Sequence, residues 1–381
     1  MSRRVLKIGS SGPARVPIEA PGLHLDRVRR SPECRRVVYD LRRLARPWGE
    51  PEARRVREVE RVLLAVSGGA DSAALALMLA SVPTLRSRLV IAHITHDLRP
   101  ARQANADARR VRELAERLSV AWAHSRVRAA AHVAAAGGNA EAVARRLRYA
   151  ALARLARRNS CSAVVTAHHA DDQLETMIMA MLRGAGPRGL AGIAERRLLS
   201  RSPGGAVVLI RPMLSLRRGD SERICEMAQW RWNVDATNAD QTRLRSAVRA
   251  QVIPVLERLR PGAALRAVDA ARVQASAARA LTTIARRFPP RGGSWPRRQL
   301  AGLQTAVLGE VMRREARRRG LPLDAITHRA IMGLCRVARD GSTEPRTVTL
   351  GPLRIAVSAD TVAIMDSARG PSRASHVRRG R

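Results

Sequence analysis

The chain has 381 residues, a formal net charge of +38, and 70 basic residues against 32 acidic ones. A charge so far from neutral predicts a polyanionic partner, whereas four scattered cysteines without a C-x-x-C pair argue against a zinc ribbon, a cysteine-ligated cluster or a disulfide framework. No apolar run reaches the roughly 18 residues that a membrane span needs, so we expect a cytoplasmic protein that does not enter a membrane.

The first 57 residues are rich in arginine and are interrupted by six prolines. Only Arg35–Leu44 has a composition that suits one or two helical turns. We therefore predict that residues 1–57 form a basic N-terminal extension that is poorly ordered.

Short apolar runs alternate with helical stretches between residues 58 and 215. This alternation predicts an α/β domain with a parallel, Rossmann-like sheet and helices on both of its faces. In such a sheet, ligands bind at the carboxyl ends of the strands. The predicted strands are Arg61–Val66, Leu89–Ile94, Val120–Ala123, Ala163–Ala167 and Val207–Ile210.

The strand signal vanishes beyond about residue 215, where five helical patterns follow. We expect a helical domain over residues 216–290, a mixed helical and β region over 291–366, and a basic tail over 367–381. Thr347–Leu350 and Leu353–Val357 predict a hairpin, with Thr361–Met365 as a third strand. The predicted fold is therefore an α/β domain followed by a mainly helical domain with a small C-terminal β element.

A glycine loop, S-G-G-A-D-S over residues 67–72, lies between the first predicted strand and the first predicted helix. This order directs backbone N–H groups and the positive end of the helix dipole at one point, which suits a phosphate or pyrophosphate. Within the loop, Asp71 could hold a divalent cation against phosphate oxygens. The alternative is a turn whose glycines serve packing alone. A Walker-type loop is excluded, because the only lysine of the chain is Lys7, and the pattern G-x-G-x-x-G is missing here.

An acidic cluster, His168–Thr176, directly follows the fourth predicted strand. On a helix, Asp171 and Asp172 both lie within reach of Glu175. Acids in a first helical turn can also serve only as partners of the helix dipole. Two histidines, three acids and a glutamine at the carboxyl end of a strand favour a functional site.

A third polar cluster, Asn139–Tyr149, contains Arg145 and Arg148, and taken alone it is an ordinary charged helix face. Together the three clusters resemble the tRNA(Ile)-lysidine synthetase family of PP-loop ATP pyrophosphatases, from about residue 61 to 258 and more loosely to about 365. The motifs behind this resemblance are S-G-G-A-D-S at 67–72, H-I-T-H-D-L-R at 93–99, N-A-E-A-V-A-R-R-L-R-Y at 139–149, A-H-H-A-D-D-Q-L-E-T at 167–176, R-G-A-G at 183–186 and R-P at 211–212.

The resemblance implies a reaction and its participants. ATP would adenylate the C2 oxygen of the wobble cytidine in the isoleucine tRNA with a CAU anticodon, and free L-lysine would then displace AMP to give lysidine. Mg²⁺ is the implied metal ion, the helical domain would hold the tRNA, and a homodimer is left open.

The resemblance also implies roles for individual residues. The acids of the cluster would bind the ammonium of lysine and help to remove its proton, since the reference pKa of a lysine amine is about 10.4. The implied catalytic residues are Asp71, Arg145, Arg148, Asp171, Asp172 and Glu175. The implied nucleotide-binding residues are Ser67, Gly68, Gly69, Ala70, Asp71, Ser72 and His93. The implied metal ligands are Asp71 and Asp172.

The chain departs from the family pattern at Arg245–Arg249, where R-S-A-V-R replaces the usual R-N-x-x-R, and at Pro100-Ala101, where an acidic residue and a serine are usual. These departures bear on contacts with tRNA and nucleotide. Three other functions compete with the main hypothesis. A PP-loop tRNA thiolase generally needs cysteine pairs, and a small-molecule amidating ligase does not call for a charge of +38. The intact acids at 71, 172 and 175 argue against a catalytically inactive RNA-binding relative.

Overall fold

The computed structural model describes residues 22–46, 61–97, 100–136, 140–202, 205–233, 244–321, 323 and 326–365. The chain divides into two compact units, residues 1–272 and residues 273–381. No helix among the described residues is long and apolar enough to cross a membrane.

Six strands form the sheet of the first unit in the order β3-β2-β1-β4-β6-β5. They are β1 (Val62–Ala65), β2 (Leu89–His96), β3 (Ala121–Val127), β4 (Ala163–Val165), β5 (Arg196–Ser202) and β6 (Gly205–Ile210). All neighbours pair in parallel except β5, which runs antiparallel to β6. The predicted parallel sheet is therefore confirmed. The edge strand β5 was not predicted, because its sequence R-R-L-L-S-R-S lacks an apolar run.

Helices cover both faces of this sheet, as predicted. The helices of this unit are α1 (Leu25–Arg30), α2 (Pro32–Ala45), α3 (Ala70–Ala80), α4 (Pro83–Arg86), α5 (Ala101–Arg117), α6 (Ala129–Ala136), α7 (Ala140–Arg158), α8 (Ala170–Leu182), α9 (Pro187–Leu190), α10 (Arg218–Met227), α11 (Leu244–Ala247) and α12 (Ile253–Leu259). A further helix, α13 (Ala263–Ala285), begins in the first unit and ends in the second. Successive strand residues point to opposite faces. Leu63 and Val90 therefore pack with α7, whereas Leu64 and Ile91 pack with α3.

The helices α1 and α2 correct the prediction for the start of the chain. They bury Val28, Val37, Leu41 and Leu44 in the same core as α3. The prediction of a poorly ordered extension is therefore wrong for residues 22–46. The buried apolar residues of α2 recur every three or four positions, as in an amphipathic helix. The prediction missed this pattern because arginines occupy most of the exposed positions between them. Residues 1–21 and 47–60 lie outside the described residues.

Residues 216–272 belong to the first unit. Val248, Ile253 and Val268 bury their side chains against Leu174 and Ile178 of α8. The predicted boundaries at residues 215 and 290 therefore do not coincide with the division at residue 272, because this apolar contact joins α11–α13 to the sheet domain. A π-helical turn, Val248–Val252, separates α11 from α12.

The second unit contains an antiparallel sheet in the order β7-β10-β9-β8, with helices packed on it. Its elements are β7 (Ser294–Pro296), α14 (Arg297–Ala301), α15 (Thr305–Arg318), α16 (His328–Arg339), β8 (Arg346–Leu350), β9 (Leu353–Val357) and β10 (Thr361–Met365). The predicted hairpin and third strand are confirmed. The strand β7 was not predicted, since it has only three residues. The predicted basic tail lies outside the described residues.

If α2 is part of the core, shortening one of its buried side chains should weaken folding. Leu41 is 3% exposed, so Leu41→Ala should lower the free energy of unfolding by about 2–5 kcal/mol. Tyr39 is 62% exposed on the same helix, and Tyr39→Ala should change it by less than about 0.5 kcal/mol. Urea unfolding of the two variants measures this difference. Equally small decreases in the free energy of unfolding of both variants would contradict the core position of α2.

Candidate active site

The glycine loop turns sharply between β1 and α3. Gly68 has a φ of +100°, a conformation that favours glycine. The hydroxyl of Ser72 accepts a hydrogen bond from the N–H of Ser67 at 3.0 Å and donates one to the carbonyl of Gly69 at 3.1 Å. Gly69 is the N-cap of α3, and no side chain caps this helix end. The positive end of α3 is therefore open to an anion.

The loop opens into a cleft of about 490 Å³ at the carboxyl ends of the parallel strands. The cleft brings together eight of the predicted site residues, which are Ser67, Gly69, Asp71, Ser72, His93, Arg145, Arg148 and Asp172. Gly68, Ala70, Asp171 and Glu175 do not line it. Two arginines that were not predicted as site residues, Arg245 and Arg249, complete the opposite wall. Their R-x-x-x-R spacing was the available signal, but it does not reveal which acids they meet.

His169 is a buried cation that joins the glycine loop to the acidic cluster. Its Nε2 lies 3.6 Å from Oδ2 of both Asp71 and Asp172, and its Nδ1 lies 3.4 Å from Oδ2 of Asp171. Burial lowers the pKa of His169, but the three carboxylates outweigh burial and raise that pKa to about 10. Both ring nitrogens therefore carry a hydrogen at neutral pH. Nδ1 donates toward Asp171 and cannot accept from the N–H of Asp172, although that N–H lies 3.4 Å away.

The carboxylates of Asp71 and Asp171 are ionised in return. Burial raises the pKa of Asp71, but His169, with smaller contributions from Ser221 and Arg218, outweighs burial, so the net shift of that pKa is downward. The same balance lowers the pKa of Asp171, whose Oδ2 also accepts a hydrogen bond from the N–H of Arg218 at 2.9 Å. The side chain of Asp171 is thus committed to holding α10 and His169, which explains why it does not line the cleft.

His168, the neighbour of His169, has the opposite charge state. Burial lowers its pKa well below the usual value, and the nearby cations Arg211, Arg145 and Arg245 lower it further. Its Nδ1 lies 2.9 Å from the hydroxyl of Thr166. The two adjacent histidines therefore supply one neutral ring and one cationic ring to the same site.

Glu175 is sealed beneath two arginines. Its side chain has no exposed surface, and its Oε2 and Oε1 accept hydrogen bonds from Nε of Arg245 at 2.8 Å and Nε of Arg249 at 2.5 Å. The same two guanidinium groups lie 3.4 and 3.5 Å from Oδ1 of Asp172, which lines the cleft. Glu175 therefore holds the arginines, and Asp172 faces the cleft between them and Asp71.

His93 lies within β2, where the rings of His93, Trp122 and His124 are stacked side by side on β2 and β3. Its Nδ1 lies 2.8 Å from the carbonyl of Val66, which immediately precedes the glycine loop. The ring stacks with those of Trp122 and His124 at centroid distances of 6.3 and 6.0 Å. His93 thus supports the loop and also offers a flat surface to the cleft.

Asp71 provides a place for a divalent cation. Its side chain lines the cleft and is 35% exposed, and its Oδ2 faces His169. A carboxylate open to the cleft fits Mg²⁺, which often takes one or two carboxylates and completes its shell with water and phosphate oxygens. Within the described ranges, no group of three or more His, Cys, Asp and Glu side chains is arranged to hold a metal ion on its own.

Comparison with known proteins relates the sequence to one group of enzymes. The PP-loop domain family matches residues 39–256. The tRNA(Ile)-lysidine synthase of Salinispora arenicola (strain CNS-205) is 35% identical over 326 residues, which are 80% of this chain and 90% of that protein. The Salinispora tropica enzyme of the same name is 37% identical over 288 residues, covering 72% of this chain and 81% of that protein.

A solved structure, the U34-tRNA thiolase NcsA from Methanococcus maripaludis with its 4Fe-4S cluster, is 15% identical and covers 64% of this chain and 78% of its own, with a TM-score of 0.48. A likeness at this level carries no argument about function.

The stabilising effect of His169 should depend on pH in a defined direction. Folding raises the pKa of His169 from about 6.5 to about 10. Wild type should therefore have a higher free energy of unfolding than His169→Gln, and this difference should be greatest below pH 6.5 and should disappear as the pH rises through about 10. Denaturant unfolding of both proteins over this range, with chelator and without nucleotide, measures the difference. Asp171→Asn removes one carboxylate and should shift the loss to lower pH. A difference that does not change with pH would contradict the cationic assignment.

Proposed function

The chain belongs to the tRNA(Ile)-lysidine synthase family of PP-loop enzymes, and on that basis we propose how its residues divide the reaction. The protein is an ATP-dependent tRNA-modifying enzyme that adenylates the wobble cytidine of the isoleucine tRNA and then joins lysine to it. One observation carries the division of roles: a glycine loop at an open helix end faces an acidic cluster and arginines across a single cleft.

The loop residues Ser67–Ser72 would receive the pyrophosphate of ATP. The uncapped N-terminus of α3 and the positive φ of Gly68 place backbone N–H groups toward the cleft without a side chain in the way. The loop therefore stabilises negative charge that grows on the pyrophosphate as it leaves. Arg145 and Arg148, which line the cleft from α7, both suit a phosphate group, and Arg148 would take the phosphate that stays with the adenylate.

Mg²⁺ would bind at the carboxylate of Asp71, which lines the cleft. A bound Mg²⁺ supplies charge neutralisation between the phosphate oxygens of ATP. The protein's own contribution is orientation, because His169 holds the other oxygen of Asp71 and thereby fixes how the carboxylate faces the cleft.

Free L-lysine would meet Asp172, the acid of the cluster that lines the cleft. A lysine amine must lose a proton before it attacks, since its reference pKa is about 10.4, and a nearby carboxylate can accept that proton. We assign a different role to Glu175, because both of its oxygens already bind arginine and none of its surface is exposed. Glu175 positions Arg245 and Arg249. Asp172 was also predicted as a metal ligand. A metal ligand would support the adenylation step, whereas a partner of lysine would support the second step, in which lysine displaces AMP.

The alternatives gain no support from particular residues. The four cysteines are all buried and separate, which does not suit a thiolase that works through cysteine pairs. The isoleucine tRNA with a CAU anticodon is the polyanion that would match the charge of +38, and we expect a protein that acts on tRNA to work in the cytoplasm. Homodimer formation is a further expectation, which sedimentation of the purified protein tests.

The decisive experiment is mass spectrometry of the wobble nucleoside after incubation with ATP, L-lysine and a CAU-anticodon tRNA transcript. Wild type should add the mass of one lysine less one water. Asp71→Asn should keep its fold and bind the transcript, but it should release no tRNA-dependent pyrophosphate. Unmodified cytidine with wild type would contradict the function. A product that contains added sulfur, in a parallel incubation with sulfide in place of L-lysine, would favour the thiolase alternative.

The two acids at positions 172 and 175 should separate in their kinetics. Asp172→Asn should raise the lysine concentration for half-maximal rate by about tenfold, roughly 1.4 kcal/mol, and should still form adenylated tRNA. Glu175→Gln should slow both half-reactions and leave the lysine dependence unchanged, because it loosens Arg245 and Arg249 together. Label transferred from α-labelled ATP to RNA reports the first half-reaction. If Asp172→Asn failed to form adenylated tRNA, Asp172 would be assigned as a metal ligand and not as the partner of lysine.

A further inference from the structure

Tyr149, at one wall of the cleft, is surrounded by arginines. Its hydroxyl accepts hydrogen bonds from Arg145 and Arg211, each at 3.4 Å. The guanidinium groups of Arg145 and Arg197 lie over its ring, 5.3 and 4.8 Å from the ring centroid. Three elements contribute to this group, since Arg145 is on α7, Arg197 is on β5 and Arg211 follows β6. We call these four residues the tyrosine–arginine cluster.

The cluster has an excess of positive charge. Among the described residues, no carboxylate lies within ion-pair distance of Arg145, Arg197 or Arg211. Arg245 and Arg249, in contrast, both form ion pairs with Asp172 and Glu175. Arg211 is only 4% exposed; its Nη1 donates to the carbonyl of Ala194 at 2.5 Å, but its Nε is buried without a hydrogen-bond partner in the described part of the chain. Burying an arginine without a counter-charge is costly unless an anion approaches it.

The hydroxyl of Tyr149 adds a donor to these cations. Because its oxygen already accepts from two guanidinium groups, its own hydrogen is available to an incoming acceptor. Burial raises the pKa of Tyr149, but Arg211, Arg145 and Arg197 outweigh burial and lower it. The phenol therefore experiences a strongly positive surrounding, of the kind that attracts an anionic oxygen.

We propose that the tyrosine–arginine cluster binds a phosphodiester of the RNA substrate, next to the nucleotide that is modified in the cleft. This inference rests on the proposed function only in taking RNA as the substrate. A phosphate of ATP offers the same chemistry and is the competing source.

The sheet order favours RNA over ATP. The glycine loop follows β1, whereas Arg197 lies on β5, three strands away in the order β1-β4-β6-β5. Strands are about 4.8 Å apart, so the two strands are separated by roughly 14 Å. When the pyrophosphate of ATP occupies the loop, its remaining phosphate is directly adjacent to the loop. Arg197 is exposed at the edge of the sheet, where a long polyanion can pass from the cleft to the surface.

The test compares Arg197→Gln and Tyr149→Phe with Arg154→Gln, which removes an exposed arginine of α7 outside the cluster. Binding of the tRNA transcript without ATP is measured over a range of salt concentrations, and the KM for ATP is measured separately. Arg197→Gln should weaken RNA binding about fivefold and reduce the slope of log affinity against log salt by about one, the effect of one lost phosphate contact. Tyr149→Phe should weaken RNA binding about threefold, because it removes a donor. Arg197→Gln should leave the KM for ATP unchanged, and Arg154→Gln should have a smaller effect on the affinity.

Two results would overturn the proposal. One is a raised KM for ATP with unchanged RNA affinity, which would assign the cluster to the nucleotide. The other is a loss of RNA affinity in Arg197→Gln no greater than in Arg154→Gln. Failure of the proposed function would give a different result. Wild type would then bind the RNA without forming lysidine, and Arg197→Gln would still lower the affinity for RNA. Thermal unfolding of each variant confirms that the fold is retained.

Discussion

The imidazolium of His169 is the interaction on which the cleft depends. It sits between a carboxylate from the glycine loop and two carboxylates from the start of α8, and these two segments are about one hundred residues apart in the chain. Without a cation at this point, three carboxyl groups would be crowded together at the carboxyl ends of β1 and β4 with no opposite charge between them. With it, the loop and α8 are held as one surface. The geometry of Asp71 toward a nucleotide therefore depends on a residue that has little exposure of its own.

A second layer of charge completes the site from a distant part of the chain. Arg245 and Arg249 bind Glu175, and their outer N–H groups extend toward Asp172. The π-helical turn that contains Arg249 changes the helical register at this point. Acids and arginines thus alternate across the cleft, so an anionic nucleotide and a cationic amino acid can both find a partner there. The tyrosine–arginine cluster is different, because it has cations without acids.

Much of the catalytic domain could be predicted from the sequence, and the physical reasons are local. The apolar run before Ser67 and the alanine-rich run after it encode a strand and a helix, so the loop between them was recognisable. The acids at 171, 172 and 175 were recognisable for the same reason. Their individual roles were not, because burial of Glu175 depends on arginines some seventy residues later. In the same way, the environment of Tyr149 depends on β5, a strand whose basic sequence gives no period-2 signal.

The packing of the N-terminal helices has a practical consequence for anyone who isolates the catalytic domain. The thiol of Cys34 donates to the carbonyl of Met78, and α1 and α2 lie against α3, the helix whose N-terminus forms the glycine loop. The PP-loop family match begins at residue 39, inside α2. A protein cut just before the loop, near residue 58, would uncover an apolar face of α3. Such a fragment would tend to self-associate, and weak nucleotide binding by it would reflect the cut and not the chemistry of the loop.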